Sequence, residues 1–276
     1  MKSLAPAIPR DASSEGIVAA IAHFVQQVLA IADGELRKLR RDPTELFTRS
    51  LQPILWLLVF GQVFSRVRAI PTGTLRYLDF MAPGVLAQSV LFTAIFYGIA
   101  VIWERDLGIV HKMLVSPAMR SALVLGKAAS AGVRGLSQTV IIYVVTLLLG
   151  IHVRFGVLPV AGVVVAVLLG SAVFSTFSLV IACIVKTRER FMGIGQVLTM
   201  PLFFASNAIY PIEMMPRWLQ FVARGNPLTY LVDALRGLMV SGGRSVFGYG
   251  MDAAVEVVAL LALVAVASKL YPSIAR

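Results

Sequence analysis

The side chains that could do chemistry in this sequence are few and lie far apart. His23, His111 and His152 show no His-Glu-x-x-His spacing, and no carboxylate pair accompanies them in a metal-binding pattern. We therefore interpret each histidine as an interfacial or loop residue. Cys183, the single cysteine, lies within an apolar run, which argues against an intrachain disulfide and a cysteine-based metal site.

One stretch partly matches a phosphate-binding loop, which needs the pattern G-x-x-x-x-G-K-[ST]. The stretch SALVLGKA supplies Gly126 and Lys127. However, it has Ser121 where the first glycine belongs and Ala128 where the magnesium-binding hydroxyl belongs. We therefore expect this chain to bind no ATP through such a loop, and we expect no cofactor in the chain itself.

Charged side chains within apolar segments are the remaining candidates, because their burial in a bilayer is costly and usually marks function. Arg134 lies near the inner end of such a segment, whereas Asp252 and Glu256 lie near an outer end. None of the three forms a proton relay at mid-membrane depth, which argues against ion-coupled transport. Glu256 alone keeps that alternative open.

The composition identifies the class of protein that must position these residues. Hydrophobic residues make up 58% and charged residues 14% of the 276 positions, against about 45–50% and about 25% in soluble domains. The chain is therefore predicted to be an integral membrane protein. The net charge of +11 does not indicate a nucleic-acid partner, because the basic residues lie in short segments between apolar runs.

Six apolar runs are long enough to cross a bilayer as helices, which takes about 20 residues each. Their continuity favours helices over barrel strands, which would alternate in polarity. The fold class is therefore all-α, with one transmembrane domain over 50–271. The predicted spans cover residues 50–69, 78–103, 126–150, 157–185, 192–210 and 251–271.

The distribution of Lys and Arg predicts the orientation of these spans. With the N-terminus inside, sixteen basic residues fall on the inner side and eight on the outer side, with Arg134 unassigned inside the third span. Basic residues favour the cytoplasmic side, so both termini are expected in the cytoplasm. Residues 1–16 are polar and lack the apolar core of a signal peptide, and we expect them to be flexible.

Residues 17–42 show apolar residues at near-helical spacing and end in a basic cluster. This pattern favours an amphipathic helix in the inner interface, with its basic end near anionic headgroups. A partly buried seventh span is the alternative, although four polar or acidic residues in the segment argue against it. The cluster consists of Arg37, Lys38, Arg40 and Arg41.

The outer connection, 211–250, is too apolar for open water and too short to cross the membrane. It is predicted to form a re-entrant hairpin of two short helices, separated by the turn RGNP. Asn226 caps the second helix and Pro227 fits its first turn. Asp233 and Arg236, three residues apart, are expected to pair on the polar face of that helix.

The polar segment 104–118 lies on the predicted cytoplasmic side. Its helical spacing places apolar residues on one side, and Pro117 ends the helix. Such a helix could dock into a cleft on a soluble subunit, but an ordinary solvated loop fits the same residues. Its charges are carried by Glu104, Arg105 and Lys112.

Three motifs resemble the ABC-2 type transporter permeases. In the stretch ERDLGIVHKMLVSPAMRSALVLGK, the match to the family's cytoplasmic segment is carried by Glu104, Arg105, Gly108, Leu114, Ser116, Pro117, Gly126 and Lys127. The stretch YLDFMAPGVLAQS resembles the family's entry to the second span. The outer stretch 206–237 resembles the family's outer signature through Asn207, Pro211, Pro216, Asn226, Pro227, Asp233 and Arg236. Within the family, that signature is most similar to daunorubicin-resistance and nodulation-factor permeases.

The resemblance implies several partners and roles. Two permeases would pair, as a homodimer or heterodimer, and each would dock on a separate ABC ATPase subunit that binds ATP and magnesium. The segment 104–118 would be the coupling helix, and the interfacial helix would add a second ATPase contact. The outer hairpin would cap a substrate path, which could be lined by Phe92, Phe96, Tyr97, Phe203, Phe204 and Asn207.

The resemblance further implies an exporter of an amphipathic drug or lipid-like molecule in a bacterial-type inner membrane. Polysaccharide or glycolipid export by the same kind of machine is the first alternative. An ion-coupled carrier or channel is the alternative of a different class. An enzyme is not expected, because the sequence contains no cluster of reactive groups.

Overall fold

The structure, a computed structural model, describes residues 26, 37, 44–67, 70–107, 120–185 and 187–271. Regular structure within these ranges is helical, apart from one isolated antiparallel bridge between Val153 and Val240. The predicted all-α class is therefore confirmed for the described part. The N-terminal segment 1–16 lies outside the described residues, as does the interfacial helix 17–42 except for Gln26 and Arg37.

The predicted first span, 50–69, falls on a helix in three consecutive pieces. Helix α1 spans Thr44–Leu55, a π-helical segment follows over Trp56–Gly61, and α2 spans Gln62–Val67. Pro53 lies inside α1, where its missing N–H removes one helical hydrogen bond. The π segment closes its hydrogen bonds over five residues rather than four, so the helix widens there.

Three long apolar helices follow. Helix α3 spans Tyr77–Asp106, α4 spans Arg120–Leu148 and α5 spans Val157–Ile184. They fall on the predicted second, third and fourth spans. Helix α3 extends beyond the predicted span end at residue 103, because its last turn includes charged residues that find partners on other helices.

The last part of the chain alternates short and long helices. Helix α6 spans Arg188–Phe204, and a single 3-10 turn covers Ile212–Met214. Helices α7 and α8 of the outer connection span Arg217–Gly225 and Pro227–Met239, and the C-terminal α9 spans Tyr249–Leu270.

Four helices of the described part have the length and apolar composition to cross a membrane: α3, α4 from Val124 onward, α5 and α9. The protein is therefore a multi-pass membrane protein. Each piece of the first predicted span is too short to count as a membrane-spanning helix by itself. Helix α6, with 17 residues, is also not among the helices that are long enough. The six-span count and the re-entrant hairpin accordingly stay predictions.

Helix α3 lies at the centre of the bundle. Of its most apolar window, 78% is buried inside the protein, against 11% for α9. Small residues permit this close packing. At Gly84, an added Cβ would lie 2.5 Å from the backbone oxygen of Ala208, so no side chain can occupy that position without moving the backbone.

We predict that Gly84→Ala destabilises the bundle by about 1–3 kcal/mol, the usual cost of overpacking a well-packed core. The matched control is Gly193→Ala in α6, where an added Cβ meets no atom within 4 Å. Thermal unfolding of the purified variants in mild detergent measures both effects. Equal midpoints for the two variants would contradict the close contact between α3 and the segment after α6.

Candidate functional site

Two residues of the cytoplasmic motif meet at the predicted inner end of α3. Lys127 Nζ, near the start of α4, donates a short hydrogen bond to Glu104 Oε2 in the last turn of α3. The Lys127 side chain is 11% exposed and that of Glu104 is 25% exposed. The ion pair therefore joins the two helices that flank the segment 108–119.

This contact changes the expected role of Glu104. The sequence suggested that a separate helix begins at this residue and offers its charge to a partner. In the structure, α3 continues through Glu104 to Asp106, and the carboxylate is paired within the chain. A partly shielded carboxylate favours a nearby cation over water. The other coupling residues lie outside the described residues, except Arg105: Gly108, Lys112, Leu114, Ser116 and Pro117.

A second group of charges connects α3 with α6. Asp106 accepts hydrogen bonds from Arg105, at 2.9 Å, and from Arg188, at 2.8 Å. Arg188 is the first residue of α6, and its guanidinium lies 3.6 Å from the ring centroid of Trp103. The end of α3 thus contacts both α4 and α6, so a displacement of the segment after α3 would reach three helices.

Of the basic cluster of the predicted interfacial helix, the structure describes one residue. Arg37 is helical and exposed, whereas Lys38, Arg40 and Arg41 lie outside the described residues. Its role at the membrane surface stays a prediction.

At the other end of the bundle, Asp233 holds the loop that follows α8. Its Oδ2 accepts hydrogen bonds from the backbone N–H groups of Val246, at 2.7 Å, and Phe247, at 3.0 Å. Ser245 Oγ lies 3.0 Å from the same oxygen. The fully buried carboxylate therefore fixes the path of the chain from α8 to α9.

Arg236 connects α8 to two other segments. Its guanidinium donates to the carbonyl oxygen of Asn207 at 2.6 Å, and it lies 3.8 Å from the ring centroid of Phe80 in α3. The residue is 5% exposed. It thereby ties the outer hairpin to α3 and to the segment after α6.

The predicted pairing of Asp233 with Arg236 on a polar helix face is therefore wrong in its geometry. Among the described side chains, the two form no ion pair within 4 Å, and each binds backbone groups of a different segment. The reason is that α8 has no solvated face: residues 228–237 are all buried between neighbouring helices. A polar side chain in this position must satisfy its charge inside the protein.

Asn226 and Pro227 lie at the turn between α7 and α8, where the sequence places them. Asn226 Oδ1 accepts from the N–H of Leu228 and caps α8, and Pro227 occupies the first turn. The Asn226 amide also donates to the carbonyl oxygens of Leu202 and Ala205, at 2.7 and 3.0 Å. This second contact satisfies carbonyls at the C-terminal end of α6, and no sequence pattern predicted it.

Sequence reasoning also missed Asp79, in the first turn of α3. Its carboxylate accepts two hydrogen bonds from Arg76, at 3.0 and 3.1 Å, and one from the backbone N–H of His152 at 3.4 Å. The hydrogen bond to Asp79 raises the pKa of the Arg76 guanidinium above its ordinary value. Arg76 also donates to the carbonyl of Gly150, so the pair anchors the connection between α4 and α5. The only available signal was an acidic residue in a helical first turn.

The six residues proposed for the substrate path lie in different surroundings. Phe92 and Phe96 stack with their centroids 6.0 Å apart and line a cavity of about 220 Å³ between α1, α3 and α6. Tyr97 is buried, with Arg134 5.2 Å from its ring centroid. Phe203 is fully buried and Phe204 is 42% exposed. Asn207 lines a separate outer cavity, so a path through all six stays a prediction.

Comparison with known proteins gives matches over most of the chain. The family model of the ABC-2 type transporter matches residues 26–240. The ycf38 protein of Cyanophora paradoxa is 30% identical over 223 residues, which are 78% of this chain and 74% of the relative. The daunorubicin resistance ABC transporter permease protein DrrB1 of Streptomyces coeruleorubidus is 24% identical over 87% of this chain and 81% of the relative. Nodulation protein J of Rhizobium leguminosarum bv. trifolii is 25% identical over 68% and 71%.

We predict that Glu104→Gln and Lys127→Met each lower the free energy of unfolding by about 1.5–3 kcal/mol, as expected for a hydrogen bond between charged groups. The exchanged pair, Glu104→Lys with Lys127→Glu, is expected to recover most of that loss. Thermal unfolding in detergent checks the three variants. An exchanged pair that is no more stable than either single variant would contradict a stabilising role of the ion pair.

We further predict that Asp233→Ala destabilises the protein by about 1–3 kcal/mol, because backbone N–H groups of the following loop lose their acceptor. A double-mutant cycle with Ser245→Ala is expected to give a coupling energy of about 0.5–3 kcal/mol. The control cycle uses Glu213→Ala, since Glu213 is exposed on the 3-10 turn. Equal coupling in the two cycles would contradict the role of Asp233 in holding the loop.

Proposed function

The chain belongs to the ABC-2 type transporter family, and we propose that it is the transmembrane permease subunit of an ATP-driven exporter. Its substrate is an amphipathic drug or lipid-like small molecule that leaves the cytoplasm or the inner leaflet. The observation that carries this proposal is the family match over residues 26–240, which includes all three sequence motifs. The drug-resistance name of one relative supports the substrate class.

Members of this family function with ABC ATPase subunits. In the proposal, the ATPase binds ATP and magnesium, and it docks on the segment 104–118 with a second contact at the interfacial helix. The ion pairs of Glu104 with Lys127 and of Asp106 with Arg188 support this arrangement, because they connect the end of α3 with α4 and α6. A push on the segment after α3 would then be transmitted to three helices together.

A second permease, identical or different, completes the proposed transporter. The sparse burial of α9 supports a large contact with lipid or with another subunit, since only 11% of its apolar window is buried. The proposed topology has six spans with both termini in the cytoplasm of a bacterial-type inner membrane. The excess of Lys and Arg on one set of connections supports that orientation.

The test begins with purification of the tagged chain from its native membranes in mild detergent. An ATPase is expected to elute with it, and reconstituted vesicles are expected to transport a fluorescent amphiphile only when ATP is hydrolysed. We predict that Glu104→Gln lowers this transport by about tenfold, corresponding to ~1.4 kcal/mol in the coupled step.

The matched control is Glu189→Gln, because Glu189 is an exposed acidic residue near the same end of the bundle. It is expected to leave ATP-dependent transport unchanged. A chain that elutes without an ATPase and still moves solute in the absence of nucleotide would contradict the proposal. That result would favour the ion-coupled carrier.

A further inference from the structure

An apolar cavity of about 360 Å³ lies between α5, α8 and α9. Its volume falls within the range of small-molecule sites in proteins. Its wall is made mostly of aliphatic side chains, and exposed residues such as Leu158, Val165 and Ala253 stand at its mouth. The cavity therefore opens at the outer surface of the bundle, where α5 and α9 are predicted to face lipid.

One polar side chain in this wall has no partner. Glu256 is 3% exposed, and neither of its carboxyl oxygens has a hydrogen-bond partner among the described residues. One turn earlier on α9, Asp252 also lines the cavity, and its Oδ1 is likewise without a partner. Burial of a carboxyl group with unmet hydrogen bonds is costly, and such a group is held in place by the helix that carries it.

The wall contains acceptors but few donors. No Lys, Arg or His is among the described residues that line the cavity. The hydroxyl of Tyr230 is already used, since it donates to the carbonyl oxygen of Arg224 at 2.8 Å. Asp252 uses its other oxygen at the loop, where Oδ2 lies 2.8 Å from Ser245 Oγ. The unpaired carboxyl oxygens therefore call for a ligand that brings hydrogen-bond donors, and a protonated amine supplies N–H donors together with a complementary charge.

We propose that this cavity binds an amphipathic organic cation, with the ligand's protonated amine on Glu256 and its apolar body against α5 and α8. Asp252 adds to the negative potential beside the amine, and the rings of Tyr230 and Tyr249 offer faces that attract cations. The inference rests on the proposed function, and it narrows the substrate class of the exporter to cationic amphiphiles. A neutral lipid chain would fill the volume but would leave the carboxyl groups without donors.

The test measures binding to the purified full-length chain in lipid nanodiscs at neutral pH. The probes are 2-(1-naphthyl)ethylamine, which is protonated, and 2-(1-naphthyl)ethanol, its neutral counterpart. The amine is expected to bind at least about tenfold more tightly than the alcohol, as for one charge-assisted hydrogen bond. Equal binding of the two probes would overturn the proposal and indicate an apolar cavity only.

Two variants and a control locate the site. Glu256→Gln keeps the shape of the side chain, and it is expected to abolish the preference for the amine. Ala253→Phe fills the mouth of the cavity and is expected to weaken the binding of both probes by about tenfold or more. Glu213→Gln, on the exposed 3-10 turn, is expected to leave the binding of both probes unchanged. An amine preference that persists in both cavity variants would overturn the assignment to this cavity.

Failure of this inference can be told apart from failure of the exporter function. The binding test needs no ATPase, so its result remains valid even if no amphiphile is transported in the presence of ATP. If ATP-driven transport occurs, but amines and alcohols are exported equally and Glu256→Gln has no effect, the exporter stands and the cation site is wrong. If Glu256→Gln does not fold, the binding of the two probes to the unmodified chain and to Ala253→Phe decides whether the cavity is a cation site.

Discussion

The predicted outer half of this protein depends on buried polar side chains that bind backbone groups at the ends of helices. Inside a packed apolar bundle, each free N–H or C=O group at a helix end costs free energy. Asp233 binds the N–H groups of the loop before α9, and Asn226 binds carbonyls at the end of α6. Arg236 binds a carbonyl in the segment after α6. These contacts hold the connections in one arrangement.

The predicted inner end of the helical bundle is held by a different kind of contact. Here side chain binds side chain, as in the pair of Glu104 with Lys127 and the group of Asp106 with Arg188. The pair of Asp106 with Arg188 is partly exposed, so water can replace either partner there at modest cost, whereas the pair of Glu104 with Lys127 is largely shielded. The predicted outer end is thus held by side chains that bind the backbone, whereas the predicted inner end is held by contacts between side chains. The proposed exporter would use this difference, because the end on which an ATPase docks must move while the opposite end keeps its shape.

The long spans could be predicted from the sequence because length and hydropathy alone define them, as α3 and α5 show. The cap at Asn226 could be predicted because it depends on neighbours in sequence. The burial of Asp233 and Arg236 could not, because a helical pattern shows which face is polar but not what that face contacts. In water a polar face turns outward, whereas in a membrane bundle it also turns inward, toward the available backbone groups. The π segment after Pro53 has no recognised sequence signature and was missed for that reason.

The buried carboxyl groups of Asp233 on α8 and Glu256 on α9 differ in whether the chain supplies them with hydrogen-bond donors. Asp233 has donors from the chain itself at Oδ2, so this oxygen holds the loop, while its Oδ1 has no partner among the described residues. Neither carboxyl oxygen of Glu256 has such a donor among the described residues, so no hydrogen bond within that part of the chain offsets the cost of its burial. In our proposal, its partner comes from outside the chain, and the shape of the cavity determines which molecules fit. The apolar wall opposite the carboxyl selects for molecules that carry their charge at one end only.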